Sequence, residues 1–201
     1  MSDFVKEDFK RMKVPNVEFI FPYVENLVHF KHNEKKTVEC DANTNGANWN
    51  TSFTLEESRA KKLLKVAEKH FVDRCGKKEK FGAVHGFTDN EYQDKLQMRF
   101  RASLKAKTAA GKLNKQPPVV DPDGLPVEDR NFYNGSTGDI IFTMHPADNP
   151  TTGKKGISFI LNKIILHNPI YGGEADGEDL DDMSADDQND DLNDLDDEIP
   201  F

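Results

Sequence analysis

The sequence has little sulfur and no long apolar run. Cys40 and Cys75 are the only cysteines in 201 residues, and no Cys-x-x-Cys pair occurs. A disulfide framework is therefore not expected, nor is a zinc site that adds His70 and His85 to the two thiols. No apolar run approaches the roughly twenty residues that span a bilayer, and the first residues, MSDFVKEDFK, lack the apolar core of a signal peptide. These absences predict a soluble protein of a reducing cytoplasm with no membrane partner.

Signatures of catalysis and of cofactor binding are also missing. The lysine-rich loops GKKEKFG (76–82) and TTGKKG (151–156) lack the spacing of a phosphate-binding P-loop. The stretch that starts at Asp187 matches some ligand positions of a calcium loop, but Leu192 stands where that loop needs glycine. We find no Ser-His-Asp set, no carboxylate pair and no cofactor fingerprint. We therefore expect a protein that is not an enzyme and that holds no cofactor or metal ion.

Charge is distributed unevenly along the chain. The formal net charge is −9, but 14 of the 36 acidic residues, and no lysine or arginine, lie between Glu174 and Phe201. The remaining residues hold 27 basic and 36 − 14 = 22 acidic side chains, a net charge of +5. A basic body with an acidic tail indicates a nucleic-acid partner. The tail, 172–201, has no apolar periodicity and is predicted to be disordered.

The first part of the body predicts a flexible arm followed by a strand and a loop. Residues 1–16 are mixed in composition and are interpreted as the arm, which leaves 17–171 as the folded domain. The segment VEFIFPYVENLVHF (17–30) favours a strand that Pro22 breaks or confines to a sheet edge. The segment CDANTNGANWN (40–50) is typical of a loop.

One helix is predicted after this loop. Thr54 to Glu57 has the pattern of a capping box, and Gly76 offers a stop. The apolar residues between them recur at spacings of three and four: Ala60, Leu63, Leu64, Ala67 and Phe71.

Later segments predict further strands. LQMRFRASLKAKT (96–108) alternates between apolar and polar residues, which is typical of a half-buried strand. VVDPDGLPVED (119–129) predicts a strand, a tight turn and the start of another strand, and GDIIFTMH (138–145) and GISFILNKIILHN (156–168) predict a final hairpin. About five strands with one inserted helix indicate a mainly β domain, either a small, partly open barrel or a sandwich.

One face of the 96–108 strand is basic. Its polar positions include four cations about 6–7 Å apart, close to the spacing of phosphates along an extended polynucleotide: Arg99, Arg101, Lys105 and Lys107. Lys112 and Lys115 continue the charge into the next loop, and no acid occurs between residues 95 and 120. We predict that Lys112 and the four cations of this face bind DNA phosphates. The alternative is a solvated face whose lysines protect a sheet edge.

Three aromatic residues lie in polar contexts where a buried ring is not expected: Trp49, Tyr92 and Tyr133. Proteins that bind single strands place aromatic rings beside a basic groove, and bases stack on these rings. We predict stacking for all three, with partial burial as the alternative for each. Other rings alternate with apolar residues and are predicted to lie in the core: Phe19, Phe21, Phe100, Phe142 and Phe159.

The acidic run ends on an apolar group, DDEIPF (196–201). Because the tail has the charge density of a phosphate backbone, we expect it to compete with DNA for the basic body until DNA displaces it. An apolar pocket rimmed by arginine or lysine would bind both the ring and the carboxylate of Phe201. The predicted partner-docking residues are Asp196, Asp197, Glu198, Ile199, Pro200 and Phe201. The alternative is a solubility tail without a partner.

Two segments resemble known proteins. The last twelve residues, DDLNDLDDEIPF, are similar to the tail tip of bacterial single-stranded DNA-binding proteins. The stretch 119–166 resembles bacteriophage single-stranded DNA-binding proteins with an OB-fold, and the matching segments are Asp121 to Pro126, Tyr133 to Gly135 and Gly156 to Asn162. The resemblance implies an OB-like five-stranded barrel and a role in phage DNA replication and recombination in the host bacterial cytoplasm. It also implies a homodimer and a tail that recruits replication proteins such as a polymerase, primase or helicase.

The leading hypothesis is a sequence-nonspecific single-stranded DNA-binding protein. A basic face contacts phosphates, which single-stranded and duplex DNA share, so a duplex-binding or strand-annealing protein remains an alternative. A second alternative is an acidic adaptor or DNA mimic that binds basic proteins and no nucleic acid. The basic body argues against this last class.

Overall fold

The computed structural model describes residues 10–31, 33–76, 79–89, 98–148 and 154–172, together with the backbone of 91–92 and 95–96. The tip 196–201 and the first nine residues of the predicted arm lie outside this part of the chain. The described elements, in order, are β1 (Lys10–Lys31), β2 (Lys36–Glu39), β3 (Asn48–Leu55), α1 (Glu57–Cys75), β4 (Ala83–Val84), β5 (Glu91–Tyr92), β6 (Lys95–Leu96), β7 (Met98–Lys105), β8 (Val119–Val120), β9 (Thr137–Asp148) and β10 (Lys155–Asn168). No helix among the described residues is long and apolar enough to cross a membrane.

Five strands close into a barrel in the order β1–β3–β7–β10–β9 and back to β1. Neighbouring strands are antiparallel except β7 and β10, which run parallel and meet at one pair, Ile160 and Ser103. β2 extends the sheet beyond one end of β1, and β4 and β8 add short parallel pairings to β10. The predicted mainly β barrel with one inserted helix is confirmed, as is the hairpin of β9 and β10.

The barrel interior is filled by phenylalanine rings. Phe53 stacks on Phe100 and on Phe142 at centroid distances of 5.6 and 5.9 Å, and Phe142 stacks on Phe159 at 4.1 Å. These rings and Phe19 are almost fully buried, which the sequence predicts for all of them except Phe53. Each buried side chain of this size contributes about 1.5–3 kcal/mol of transfer free energy, so the stacked rings and the aliphatic side chains packed around them together stabilise the barrel.

Helix α1 packs against β4, β9 and β10 through its apolar face. The predicted end at Gly76 is confirmed, since this glycine has a φ of 83° and its N–H donates to the carbonyl of Val72. The predicted capping box is wrong. Thr54 still belongs to β3, where it pairs with Arg99, and the residue before the helix, Glu56, makes no side-chain capping bond.

Strand β1 is longer than the sequence pattern indicates. It begins at Lys10, so residues 10–16 of the predicted arm belong to the barrel. Pro22 lies in a bulge, because the register with β3 shifts between Ile20 and Tyr23. Phe21 has a φ of 51° in this bulge and is only half-buried. The bulge is the break that the proline predicts.

A buried carboxylate ties three strands of the barrel together. Asp139 on β9 lies 2.7 Å from Lys13 Nζ on β1 and 3.3 Å from His167 Nε2 on β10. It also accepts a hydrogen bond of 3.2 Å from the backbone N–H of Asn16. Burial tends to raise the pKa of Asp139, but the bonds from Lys13 and Asn16 outweigh this effect, so the pKa lies below its usual value.

We expect Asp139→Asn to remove a pH-dependent part of the stability. A carboxyl whose pKa is lowered by folding stabilises the folded state above its unfolded pKa of about 3.9. The contribution disappears as the pH falls through the lower, folded pKa. The free energy of unfolding should therefore drop by about 2 kcal/mol at pH 7 and converge with that of the unsubstituted protein in strong acid. Urea titrations between pH 2 and 7 measure this, with the exposed Asp123→Asn as control; a difference that is constant with pH would contradict it.

Candidate nucleic-acid interface

The predicted basic face lies on the outside of the barrel, across β3 and β7. Four cross-strand pairs define it: Asn48–Lys105, Asn50–Ser103, Ser52–Arg101 and Thr54–Arg99. The alternate residues of β7 point inward, and Phe100 and Ala102 are fully buried. We call these eight outward residues the β3–β7 face. Its three cations are half-buried against the sheet.

Arg101 is the central cation of the β3–β7 face. Its Nε is buried and has no hydrogen-bond partner among the described residues. Because this Nε is buried, an anion from solution would bind the other N–H donors of the guanidinium. The position therefore suits a phosphate oxygen, which binds arginine through charge-assisted hydrogen bonds.

An aromatic ring lies near Arg101 on β1, with β3 between the two strands. Tyr23 on β1 pairs with Asn50 of β3, which pairs in turn with Ser103 of β7. Burial raises the pKa of Tyr23, and the nearby positive charge of Arg101 opposes this rise. The tyrosine ring and the guanidinium thus share one surface, which is the combination that binds bases and phosphates of a single strand.

A loop fixes the far end of the β3–β7 face. Lys107 donates to the side-chain oxygen of Asn43 at 2.6 Å, which joins the loop after β7 to the loop before β3. Gln116 donates to the carbonyls of Val24 and Glu25 on β1, both at 2.8 Å. Lys112 and Lys115 are exposed between these anchors. The loop therefore presents its cations from a fixed position beside the face.

Three cations in and beside the β3–β7 face have no carboxylate partner among the described residues. On other surfaces of the protein, lysines form ion pairs such as Lys61–Glu57, Lys69–Asp73 and Lys155–Glu79. Arg101, Lys107 and Lys112 have no carboxylate partner within the part of the chain that the structure describes. Their positive potential is available to an anionic ligand.

The predicted stacking residues have three different outcomes. Trp49 is only 9% exposed. β3 already begins at Asn48, and the indole lies on the same inward side of the strand as Thr51 and Phe53. The expectation of an exposed Trp49 ring in a loop is wrong, and we do not retain this residue in the interface. The backbone of Tyr92 lies in β5, and its side chain lies outside the described residues. Tyr133 is 48% exposed.

Tyr133 belongs to a turn that lines the other side of β1. The N–H of Gly135 donates to the carbonyl of Phe19 at 3.1 Å, and the N–H of Phe21 donates to Asn134 Oδ1 at 2.7 Å. The same stretch of β1 pairs with β3 on its opposite side. The surface therefore runs from the exposed ring of Tyr133 over β1 to the β3–β7 face, in which Asn50 and Ser52 are buried.

The sequence prediction missed Tyr23. Pro22 and the bulge around it shift the inward and outward positions of β1, so simple alternation from Val17 onward does not place Tyr23 on the outside. The available signal was the proline itself, since a bulge re-aims the side chain that follows it.

The two cysteines are partly buried free thiols. Burial raises the pKa of Cys40 and of Cys75, which keeps both as neutral thiols. No cluster of three or more histidine, cysteine, aspartate or glutamate side chains among the described residues could hold a metal ion.

The strand order and the helix define an OB-type barrel, in which β3 and β7 are the second and third strands. In this fold the face of strands two and three, with the adjoining loops, is where oligonucleotides bind. No family model matches the sequence, and no curated protein matches it either.

Solved structures do match this barrel. The single-stranded DNA-binding protein of bacteriophage Enc34, in complex with ssDNA, aligns with a TM-score of 0.53 and 13% identity over 81% of this chain and 89% of its own. The gp2.5 single-stranded DNA-binding protein of bacteriophage T7 aligns with a TM-score of 0.54 and 16% identity over 84% of this chain and 93% of its own. The resemblance to phage single-stranded DNA-binding proteins is thus confirmed at the level of the fold.

Proposed function

We propose that the protein binds single-stranded DNA without sequence preference and acts in phage DNA replication and recombination. The observation that carries the proposal is the β3–β7 face, where Arg101 and its neighbours occupy the nucleic-acid surface of an OB-type barrel. The Enc34 protein, which shares this barrel, was solved with ssDNA. Its fold and its ligand support the same class of ligand here.

Each group on the face has a role in this proposal. Arg99, Arg101 and Lys105 contact phosphates along β7, and Lys107 and Lys112 extend the contact into the loop. Tyr23 and Tyr133 offer rings on which bases stack, worth about 1–3 kcal/mol for each base. Stacking and phosphate contacts are insensitive to base identity, so binding without sequence preference follows.

The acidic tail is proposed to be a competitor and a recruiting element. It is joined to the body at Gly172, so its 14 carboxylates meet the basic face at the high effective concentration of a tethered ligand. DNA that displaces the tail leaves the tip 196–201 available to replication proteins with a basic, apolar pocket.

Removal of the tail after Tyr171 should strengthen binding to single-stranded DNA at low salt. We expect affinity for a fluorescent oligothymidylate to rise about tenfold, because the intramolecular competitor is gone. Salt screens both interactions, so the gain should shrink as the ionic strength increases. Anisotropy titrations over a salt series measure it. Weaker binding after truncation at low salt would exclude the competition.

Competition between matched oligonucleotides separates the proposed function from its alternatives. A single strand should displace the bound probe at a lower concentration than a duplex of the same length, because a duplex does not expose its bases for stacking on Tyr23 or Tyr133. Equal competition would favour a duplex-binding protein. Absence of binding by either ligand, with and without the tail, would favour the acidic adaptor.

A further inference from the structure

A second basic surface lies on the outside of the barrel, across β1, β9 and β10. Two rows of cross-strand neighbours form it. One row is Arg11, Thr143 and Ile160, and the other is Lys13, Ile141 and Lys163. We call these six residues the β1–β9–β10 face.

The chemistry of this face differs from that of the β3–β7 face. Arg11 is exposed, Lys163 is half-buried, and neither has a carboxylate partner among the described residues. Ile141 and Ile160 are partly exposed between the cations. None of the six residues is aromatic, so the face offers no ring on which a base could stack. Cations beside exposed aliphatic side chains suit a peptide that is both acidic and apolar.

Asp139, a carboxylate on β9 that borders the face, is already paired. It lies two residues before Ile141. Lys13 and His167 bind its carboxylate, and its side chain is only 7% exposed. The spans 11–13, 141–143 and 160–163 contain no acidic residue. An incoming carboxylate therefore meets Arg11 and Lys163 without local repulsion from an exposed acid.

The surface around the start of the tail is acidic instead. The hydroxyl of Tyr171, just before the tail, donates to the carbonyl of Asp129 at 3.1 Å. The segment that contains Asp129 carries four acids: Asp121, Asp123, Glu128 and Asp129. Like charges repel, so a basic surface is a more favourable site for the acidic tail than the surface around its root.

The tail is long enough to reach any side of the barrel. From Gly172 to Phe201 it has 30 residues, which give a root-mean-square span of about 30 Å and a maximum of about 100 Å. A small domain is about 30 Å across. A tip tethered at this distance is present at an effective concentration of about 1 mM, so even a weak site on the same molecule is occupied.

We propose that the tip of the tail, DDEIPF (196–201), docks on the β1–β9–β10 face of its own chain. The apolar side chains of Ile199 and Phe201 cover Ile141 and Ile160. The acidic side chains and the terminal carboxylate bind Arg11 and Lys163. The acidic run before the tip is then free to lie across the β3–β7 face, so the tail occupies two surfaces at once. This goes beyond the proposed function, which places no site for the tip on the body.

The full-length protein with fluorophenylalanine at position 201 tests the proposal. We expect its ¹⁹F resonance to be shifted and broadened relative to the same label in a free peptide of residues 190–201. In the double variant Arg11→Glu, Lys163→Glu the resonance should return to the free-peptide position. The neutral pair Arg11→Gln, Lys163→Gln should shift it in the same direction, and this milder pair carries the test if the glutamate variant does not fold.

Two controls give the test its specificity. Lys62→Glu, Lys65→Glu on α1 makes the same change in net charge and should leave the resonance shifted, as should Arg101→Glu. A free-peptide resonance in the unsubstituted protein would overturn the proposal, as would loss of the shift in Arg101→Glu but not in the Arg11, Lys163 variants. A shift that grows with protein concentration would assign the tip to a second copy and would also overturn it. Affinity for single-stranded DNA in the Arg11, Lys163 variants tests the proposed function separately and should match that of the α1 control.

Discussion

The double variant Arg99→Glu, Arg101→Glu is expected to bind single-stranded DNA about a hundredfold more weakly than the unsubstituted protein. This corresponds to about 3 kcal/mol, because two charge-assisted contacts to phosphate are replaced by repulsion. Both residues lie on the outward side of β7, opposite Thr54 and Ser52 of β3. The slope of log K against log salt should fall by about 1.4, since each phosphate contact on a single strand contributes about 0.7. Anisotropy titrations at four salt concentrations measure both quantities.

A matched charge change elsewhere separates local contact from overall electrostatics. Lys62→Glu, Lys65→Glu alters the net charge by the same amount on the exposed side of α1. We expect it to weaken binding only slightly and to leave the salt slope almost unchanged. If both pairs reduced affinity equally, the β3–β7 face would not be the binding surface. Thermal unfolding of each variant establishes that the fold is intact.

The largest effect on stability is expected from Gly138→Ala. A Cβ at this position of β9 would lie 2.2 Å from the carbonyl oxygen of Ile165 and 3.1 Å from the ring of Phe19. Neither the backbone of β10 nor the barrel core can move aside without breaking neighbouring pairs, and overpacking of this kind costs about 3 kcal/mol. The midpoint of thermal unfolding should fall by about 10 °C. Calorimetry or circular dichroism measures the midpoint.

Gly111→Ala is the control for this prediction. Gly111 has a φ of +76° and an added Cβ would meet nothing within 4 Å, so only backbone strain of about 1 kcal/mol is expected. A loss of stability in Gly138→Ala no larger than in Gly111→Ala would mean that β9 and β10 separate more easily than their close approach indicates.

The sequence predicts the elements whose pattern is local. Alternation in β7 correctly places Phe100 inside and Arg101 outside, because a strand with one buried face has a period of two. The helix and its end at Gly76 follow from apolar spacing and from the one residue type that adopts a positive φ at low cost. These features require no knowledge of which strand pairs with which.

The features that the sequence does not reveal depend on long-range pairing and on bulges. β1 shifts register with β9 between Val14 and Val17, and with β3 on both sides of Tyr23, so its pairing register changes three times. Trp49 is hidden for a similar reason. The polar residues beside it, Asn48 and Asn50, are outward positions of a strand, and in sequence they look like part of the preceding loop. The DNA-binding role of the individual side chains stays a prediction.

The position of β1 in the barrel also determines how the chain must be assembled during synthesis. Lys10 pairs with Met144, a separation of 144 − 10 = 134 residues. At translation rates of about 5–20 residues per second, β1 waits on the order of ten seconds for its partner in β9. β3 and β7 emerge earlier and can pair with β1 as an open three-stranded sheet, whose apolar side has no cover until the last hairpin leaves the ribosome. The nascent protein therefore has the strands of the β3–β7 face before it has a core, and it is most vulnerable to aggregation in that interval.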